Sequence, residues 1–127
     1  MATAAQLRKL FLSMPEAEEK SHFDQPDFRV RNKIFATLSL QGERASLKLT
    51  PEVQAMLLDA RPGAFIPAAG AWGRGGWTYV VLSKVKVEEL RDLVAEAWRL
   101  VAPKRLVAAH EGGAGAPAKK RGAKKKG

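Results

Sequence analysis

The sequence predicts an α+β domain, a two-layer sandwich in which helices pack on one face of an antiparallel sheet. Between Phe28 and Leu49, apolar and polar residues alternate in successive runs, and the connections are too short for parallel crossovers. Stripes at helical period flank these runs on both sides. The order is helix, three or four strands, helix, one or two strands, helix, which suits a sheet covered on a single side.

The first helix rests on Leu7, Leu10, Phe11 and Met14, spaced i, i+3, i+4, i+7, with Thr3 as N-cap and Pro15 as the stop. A polar stretch follows, with a short edge strand expected at 20–23. Phe28 and Val30 then alternate with Arg29 and Arg31, and Asn32 is a turn residue tolerant of positive φ. Ile34, Ala36, Leu38 and Leu40 form the apolar phase of the next strand. Ala45, Leu47 and Leu49 form that of the third, after a turn at 41–44. The opposite phase places Arg29, Arg31, Phe35, Thr37, Ser46 and Lys48 on the open face of the sheet.

Thr50-Pro51-Glu52 is a helix start: a capping hydroxyl, proline at the first helical position and an acid near the positive end of the dipole. Val53, Met56, Leu57 and Ala60 are its expected buried stripe. A long glycine-rich loop is expected from 64 to 76, then a strand from 77 to 82. The last helix, at 87–101, carries a wide stripe of Leu90, Leu93, Val94, Ala97, Trp98 and Val101, and Pro103 closes it.

The 127 residues fit one domain. Apolar residues make up 46% of the chain, enough for a core. With no cysteine, disulfide frameworks, thiolate metal sites and cysteine nucleophiles are excluded. No apolar run approaches the about 18 residues of a membrane span, and from the composition of residues 1–9 no secretory signal is expected. A cytoplasmic location is expected, nucleoid-associated in a bacterium.

The net charge of +9 is unevenly placed. Residues 1–107 balance at +4 and residues 108–127 at +5. The last stretch has almost nothing to bury beyond alanine and glycine, so it reads as a disordered basic tail behind a body ending near Val107.

Several groups bear on function. The tail carries Lys119, Lys120, Arg121, Lys124, Lys125 and Lys126, a pattern that follows phosphate backbones and releases counterions. The alternatives are a solubilising tail or, in a eukaryote, a nuclear address. Arg29, Arg31 and Lys33 crowd one hairpin tip that would enter a groove or lie along phosphates, against the plainer reading of a solvated turn. Lys48 joins them on the open face. The loop at 70–77 holds Trp72, Arg74 and Trp77 among four glycines; an indole stacks on bases, although Trp77 also suits a core strand. Its glycine spacing matches neither a P-loop nor a dinucleotide fingerprint. His22 has no histidine companion in the body and is expected to make a structural hydrogen bond.

The order and spacing of several fragments resemble the MmcQ/YjbR family over about residues 5–106. They are Met14-Pro15-Glu16, Glu19 and His22, Phe28-Arg29-Val30, Lys33-Ile34-Phe35-Ala36-Thr37-Leu38, Leu47-Lys48-Leu49-Thr50-Pro51-Glu52, Trp72-Gly73, Trp77-Thr78, and Ala97-Trp98-Arg99 leading to Ala102-Pro103-Lys104. The resemblance implies a two-layer α+β fold shared with CyaY-like and secretion-chaperone-like proteins. Members are often labelled DNA-binding, on the grounds of a double wing built from hairpins, and the family brings no agreed catalytic residues. The lysine-rich tail lies outside the family pattern. Iron binding of the CyaY kind is not expected, because Arg8 and Lys9 stand on the first helix in place of an acidic ridge.

The expected function is therefore a non-enzymatic, nucleic-acid-binding accessory protein, with DNA preferred to RNA, no cofactor and no metal. The alternative is a protein-interaction or chaperone-like module whose tail only aids solubility. An enzyme with a cleft near Trp72 and His22 comes third.

Overall fold

The computed structural model describes residues 1–22, 25–39 and 41–113. Helix α1 (Ala4–Leu12) opens on a reciprocal cap. The Thr3 hydroxyl accepts from the Gln6 backbone N–H at 3.1 Å, and the Gln6 side-chain oxygen accepts from the Thr3 N–H at 3.0 Å. Strands β1 (Glu18–His22), β2 (Gln25–Val30), β3 (Lys33–Leu38) and β4 (Arg44–Lys48) follow as an antiparallel meander. The chain continues through α2 (Pro51–Ala60), β5 (Phe65–Pro67), α3 (Gly70–Arg74), β6 (Trp77–Val81), a 3-10 turn at Leu82–Lys84, α4 (Val87–Val101) and α5 (Lys104–Gly113). All strands join one antiparallel sheet in the order β1-β2-β3-β4-β6-β5. The fold is α+β, and no helix among the described residues is long and apolar enough to cross a membrane.

Register divides the sheet into two faces. The rows Ala36–Leu47–Thr78 and Leu38–Ala45–Val80 point to the core beneath α1 and α4. The rows Thr37–Ser46–Tyr79 and Lys48–Trp77 point the other way. Strict alternation places Phe35 on the open face, but its side chain is fully buried. The cause is a bulge: Phe28 pairs with Ala36 while Arg29 pairs with Ile34, so β3 holds an extra residue. The bulge turns Phe35 inward, its ring 6.2 Å edge-on from that of Phe11, which also meets Phe28 at 4.8 Å.

Three further expectations change. The stripe of α2 is rotated: Val53, Gln54, Leu57 and Leu58 face inward, while Met56 is 66% exposed and Ala60 is exposed. The buried position belongs to Gln54 because its amide has partners there, described below. The segment 64–76 is not a long loop, since it contains edge strand β5 and short helix α3. Pro103 ends α4 but does not end the helical structure. With no N–H to lose and a fixed φ, it suits the entry to a new helix, and α5 runs past Val107 to Gly113. The His110 ring on α5 meets Trp98 edge-on at 5.1 Å. Residues 114–127, with all the tail cations, lie outside the described residues.

Trp98 anchors the core. It is fully buried on α4 with Leu90, Val94 and Ala97, and its indole N–H donates to the Pro15 carbonyl at 2.9 Å. Arg61, at the end of α2, donates to the Lys84 carbonyl and to Glu89, each at 2.7 Å, and so fixes α2 to the start of α4. Trp98→Ala should lower stability by about 3–5 kcal/mol, the range of large-to-small core changes. Denaturant unfolding checks this, and a variant within error of the parent would place the indole outside the core.

Candidate functional site

Among the described residues, the sequence-predicted cations fall into two groups. At the β2–β3 turn, Arg31 and Asn32 adopt φ values of 52° and 71°, the two-residue turn that matches strand twist. The turn is basic by sequence, yet its arginines are paired. Arg29 reaches the fully buried Asp27 through two N–H groups at 2.7 and 3.1 Å, and donates a third bond to Asn32 at 2.8 Å. Arg31 grips Glu16 at 2.8 and 3.3 Å. Glu16 also holds a positive φ of 60°, so this ion pair joins two residues in left-handed conformation. These contacts raise both guanidinium pKa values and lower that of Glu16, hydrogen bonding being the first cause in each case. Lys33 is exposed at the tip. The turn thus carries much less uncompensated charge than its sequence suggests.

The second group surrounds a cleft of about 350 Å³ lined by Lys48, Ala71, Trp72, Gly75 and Trp77. Trp72 is 69% exposed, and its ring stands edge-on to Trp77 at 6.2 Å. Lys48 is paired directly opposite Trp77 on the open face. Arg74 is exposed at the end of α3, beside the cleft but not among the residues lining it. The structure therefore brings Lys48 and Trp72 together and leaves Arg29, Arg31 and Lys33 on a different turn. Trp77, weighed as a core residue, is a half-buried wall of the cleft.

Local backbone contacts explain Gly73 and Gly76 without a ligand. A Cβ on Gly73 would strike the Ala68 carbonyl. On Gly76, at φ 111°, it would strike the Leu49 carbonyl. Gln54 then locks the arrangement. Its amide nitrogen lies 3.0 Å from the Gly73 carbonyl, 3.0 Å from the Trp77 carbonyl and 3.1 Å from the Thr78 hydroxyl, sharing its hydrogens among them. Thr78 in turn donates to the Gly76 carbonyl at 2.9 Å. One side chain of α2 thereby fixes both tryptophan-bearing segments. Sequence reasoning passed over Gln54 because the run Met56-Leu57-Leu58 supports two helical phases; a buried-stripe phase containing a single amide was the available signal.

Further along the open face, the Arg44 guanidinium lies 4.0 Å over the Tyr79 ring. A polar chain runs beside it: Gln25 donates to the Thr37 hydroxyl at 3.2 Å, which donates to that of Ser46 at 3.0 Å. Among the described residues no group of three or more His, Asp or Glu is placed to hold a metal ion. The His22 side chain lies outside the described residues.

The family model described as YjbR matches residues 12–100. The chain belongs to the YjbR family. Among solved structures, this YjbR protein is similar to protein DR2400 of Deinococcus radiodurans, which carries domain DUF419. The identity is 27% and the TM-score 0.72, over 92% of this chain and 91% of that one. A Pseudomonas syringae protein shares the fold at 16% identity and a TM-score of 0.62, over 77% of this chain and 97% of its own. No curated protein matches. Both clusters lie inside the YjbR match, whereas the basic tail lies beyond it.

Two predictions follow from this geometry. Gln54→Ala should cost about 1–3 kcal/mol by removing the buried hydrogen bonds that tie α2 to Gly73, Trp77 and Thr78. It should also broaden the environment of Trp72 and Trp77, read by thermal melting and indole emission; unchanged melting and emission would show that α3 is held by other contacts. The second concerns acid. Glu16 is held low by its Arg31 hydrogen bonds, and Glu89 first by the Lys86 backbone N–H and then by Arg61. A carboxylate with a depressed folded pKa contributes stability that is present above its unfolded value and lost as pH falls through the folded one. Melting temperature should therefore drop below the usual glutamate value of about 4.3. Combining Glu16→Gln with Glu89→Gln should flatten that drop, and an unaltered acid limb would discount both pairs.

Proposed function

We propose that this YjbR protein is a non-enzymatic nucleic-acid-binding accessory protein, taking unpaired bases at the Trp72–Trp77–Lys48 cleft and phosphates along its basic tail. DNA is the preferred partner over RNA, and a cytoplasmic, in a bacterium nucleoid-associated, location accompanies it. The observation that carries the reading is Trp72: a large aromatic left 69% exposed, braced edge-on by Trp77, with Lys48 on the wall of the same cleft. An indole beside a cation is the arrangement that stacks a base and meets its phosphate, and stacking of this kind tolerates any base. The paired arginines of the β2–β3 turn give less support to a hairpin inserted in a duplex groove. Lys119, Lys120, Arg121, Lys124, Lys125 and Lys126 add affinity without sequence choice.

Exposure of Met56 at 66% as well as Trp72 favours the second reading, a protein-interaction module. Mobility shift with single-stranded and duplex probes separates the two. Trp72→Ala should weaken single-strand binding about tenfold, within the range of one lost stacking contact. Deleting residues 114–127 should flatten the dependence of log K on log salt for duplex by about 4–5 units, if most of the tail cations meet phosphate. An intact protein that shifts neither probe at low salt would end the nucleic-acid reading and leave the interaction module.

A further inference from the structure

We infer that a single strand runs along the open face of the sheet and places two adjacent bases on two separate stations, the Trp72–Trp77 pair and the Arg44–Tyr79 stack. This rests on the nucleic-acid reading above and adds a register to it. Trp77 and Tyr79 lie two residues apart on β6 and share a face, as their partners Lys48 and Ser46 on β4 show. Two residues of antiparallel strand rise about 7 Å, the span of an extended sugar–phosphate unit. Each aromatic is served by a cation from β4. Lys48 sits directly opposite Trp77, and Arg44 reaches diagonally from its own partner Val81 to cover Tyr79 at 4.0 Å.

The second station differs in kind from the first. The guanidinium on Tyr79 already occupies one face of the ring, so the outer plane of Arg44 becomes the platform, and a base stacked there completes a base–guanidinium–phenol stack. Ile66, 40% exposed and paired with Tyr79 from β5, borders the ring on the opposite side to Ser46. Ser46, paired beside Tyr79 and two residues from Lys48 on β4, accepts from Thr37, which accepts from Gln25. Its hydroxyl thus lies on the same row as the two cations of β4, within the path the strand would follow. Among the described residues, α1 and α4 pack on the opposite face, and α3 stands only at the Trp77 end of this row.

The test uses the full-length protein and short oligothymidylates of fixed length that are abasic except for none, one, two or three adjacent thymines. Phosphate number, and with it the contribution of the tail, is then constant. Binding is read by quenching of indole emission; Trp98 is fully buried and gives an unchanging background. Affinity should rise about tenfold from one thymine to two and level off at three. Arg44→Ala should abolish the step from one to two while leaving the one-thymine strand unaffected. Tyr79→Leu, which keeps apolar bulk at the position, should abolish the same step. Trp72→Ala should weaken every strand that carries a base. Equal affinity for one and two thymines, or a step that survives Arg44→Ala, would overturn the two-station register and leave the cleft. A fully abasic strand bound as tightly as the thymine strands would instead overturn base recognition at the cleft itself.

Discussion

The apolar stripes of α1 and α4 are all directed to one side of the six-stranded sheet, and this one-sidedness governs the rest of the molecule. The covered face supplies the core, with Trp98 joined to Pro15 across most of the chain. The uncovered face must satisfy its side chains within the sheet or leave them to a ligand. On β1–β3 it does the former: Asp27 and Arg29 pair, and Gln25, Thr37 and Ser46 form a chain of hydrogen bonds. On β4 and β6 it does so only in part, and the aromatic and basic residues of Trp77, Tyr79, Lys48 and Arg44 gather there.

The edges of the sheet are guarded against further strands. β1 reads Glu-Glu-Lys-Ser-His, and like-charged or solvated side chains on an edge discourage pairing with another chain. β5 at the other edge is three residues long and ends in Pro67, which lacks an N–H to offer. Addition of a further strand at either edge is thereby disfavoured, and the open face remains the broader exposed surface of the sheet.

The cleft owes its shape to backbone contacts some distance from its rim. Gly73 and Gly76 let α3 and the start of β6 lie against the carbonyls of Ala68 and Leu49, and Gln54 holds both segments from behind. Trp72 is held out from this support into solvent, with Trp77 as its brace. A rigid base beneath an exposed aromatic lowers the ordering entropy of binding, which is the advantage of preorganisation.

Local patterns alone determined the fold class, the Thr3 and Thr50 caps, the tight turn at Asn32, the stripe of α4 and the buried place of Trp98, because each depends on the period or chemistry of neighbouring residues. The concentration of charge after residue 107 was equally plain in composition. Tertiary structure decided what neighbours cannot. A single extra residue in β3 sent Phe35 inward, since strand phase reverses wherever pairing slips by one. The α2 phase followed the acceptors that Gln54 found on Gly73, Trp77 and Thr78, far away in sequence. Arg31 read as an open cation until folding brought Glu16 to it, whereas the Asp27–Arg29 pair, two residues apart on one strand face, is local to β2. Lys48 and Trp72 became one site only through the pairing of β4 with β6, since charge pairing and stacking act through space and leave no periodic trace along the chain.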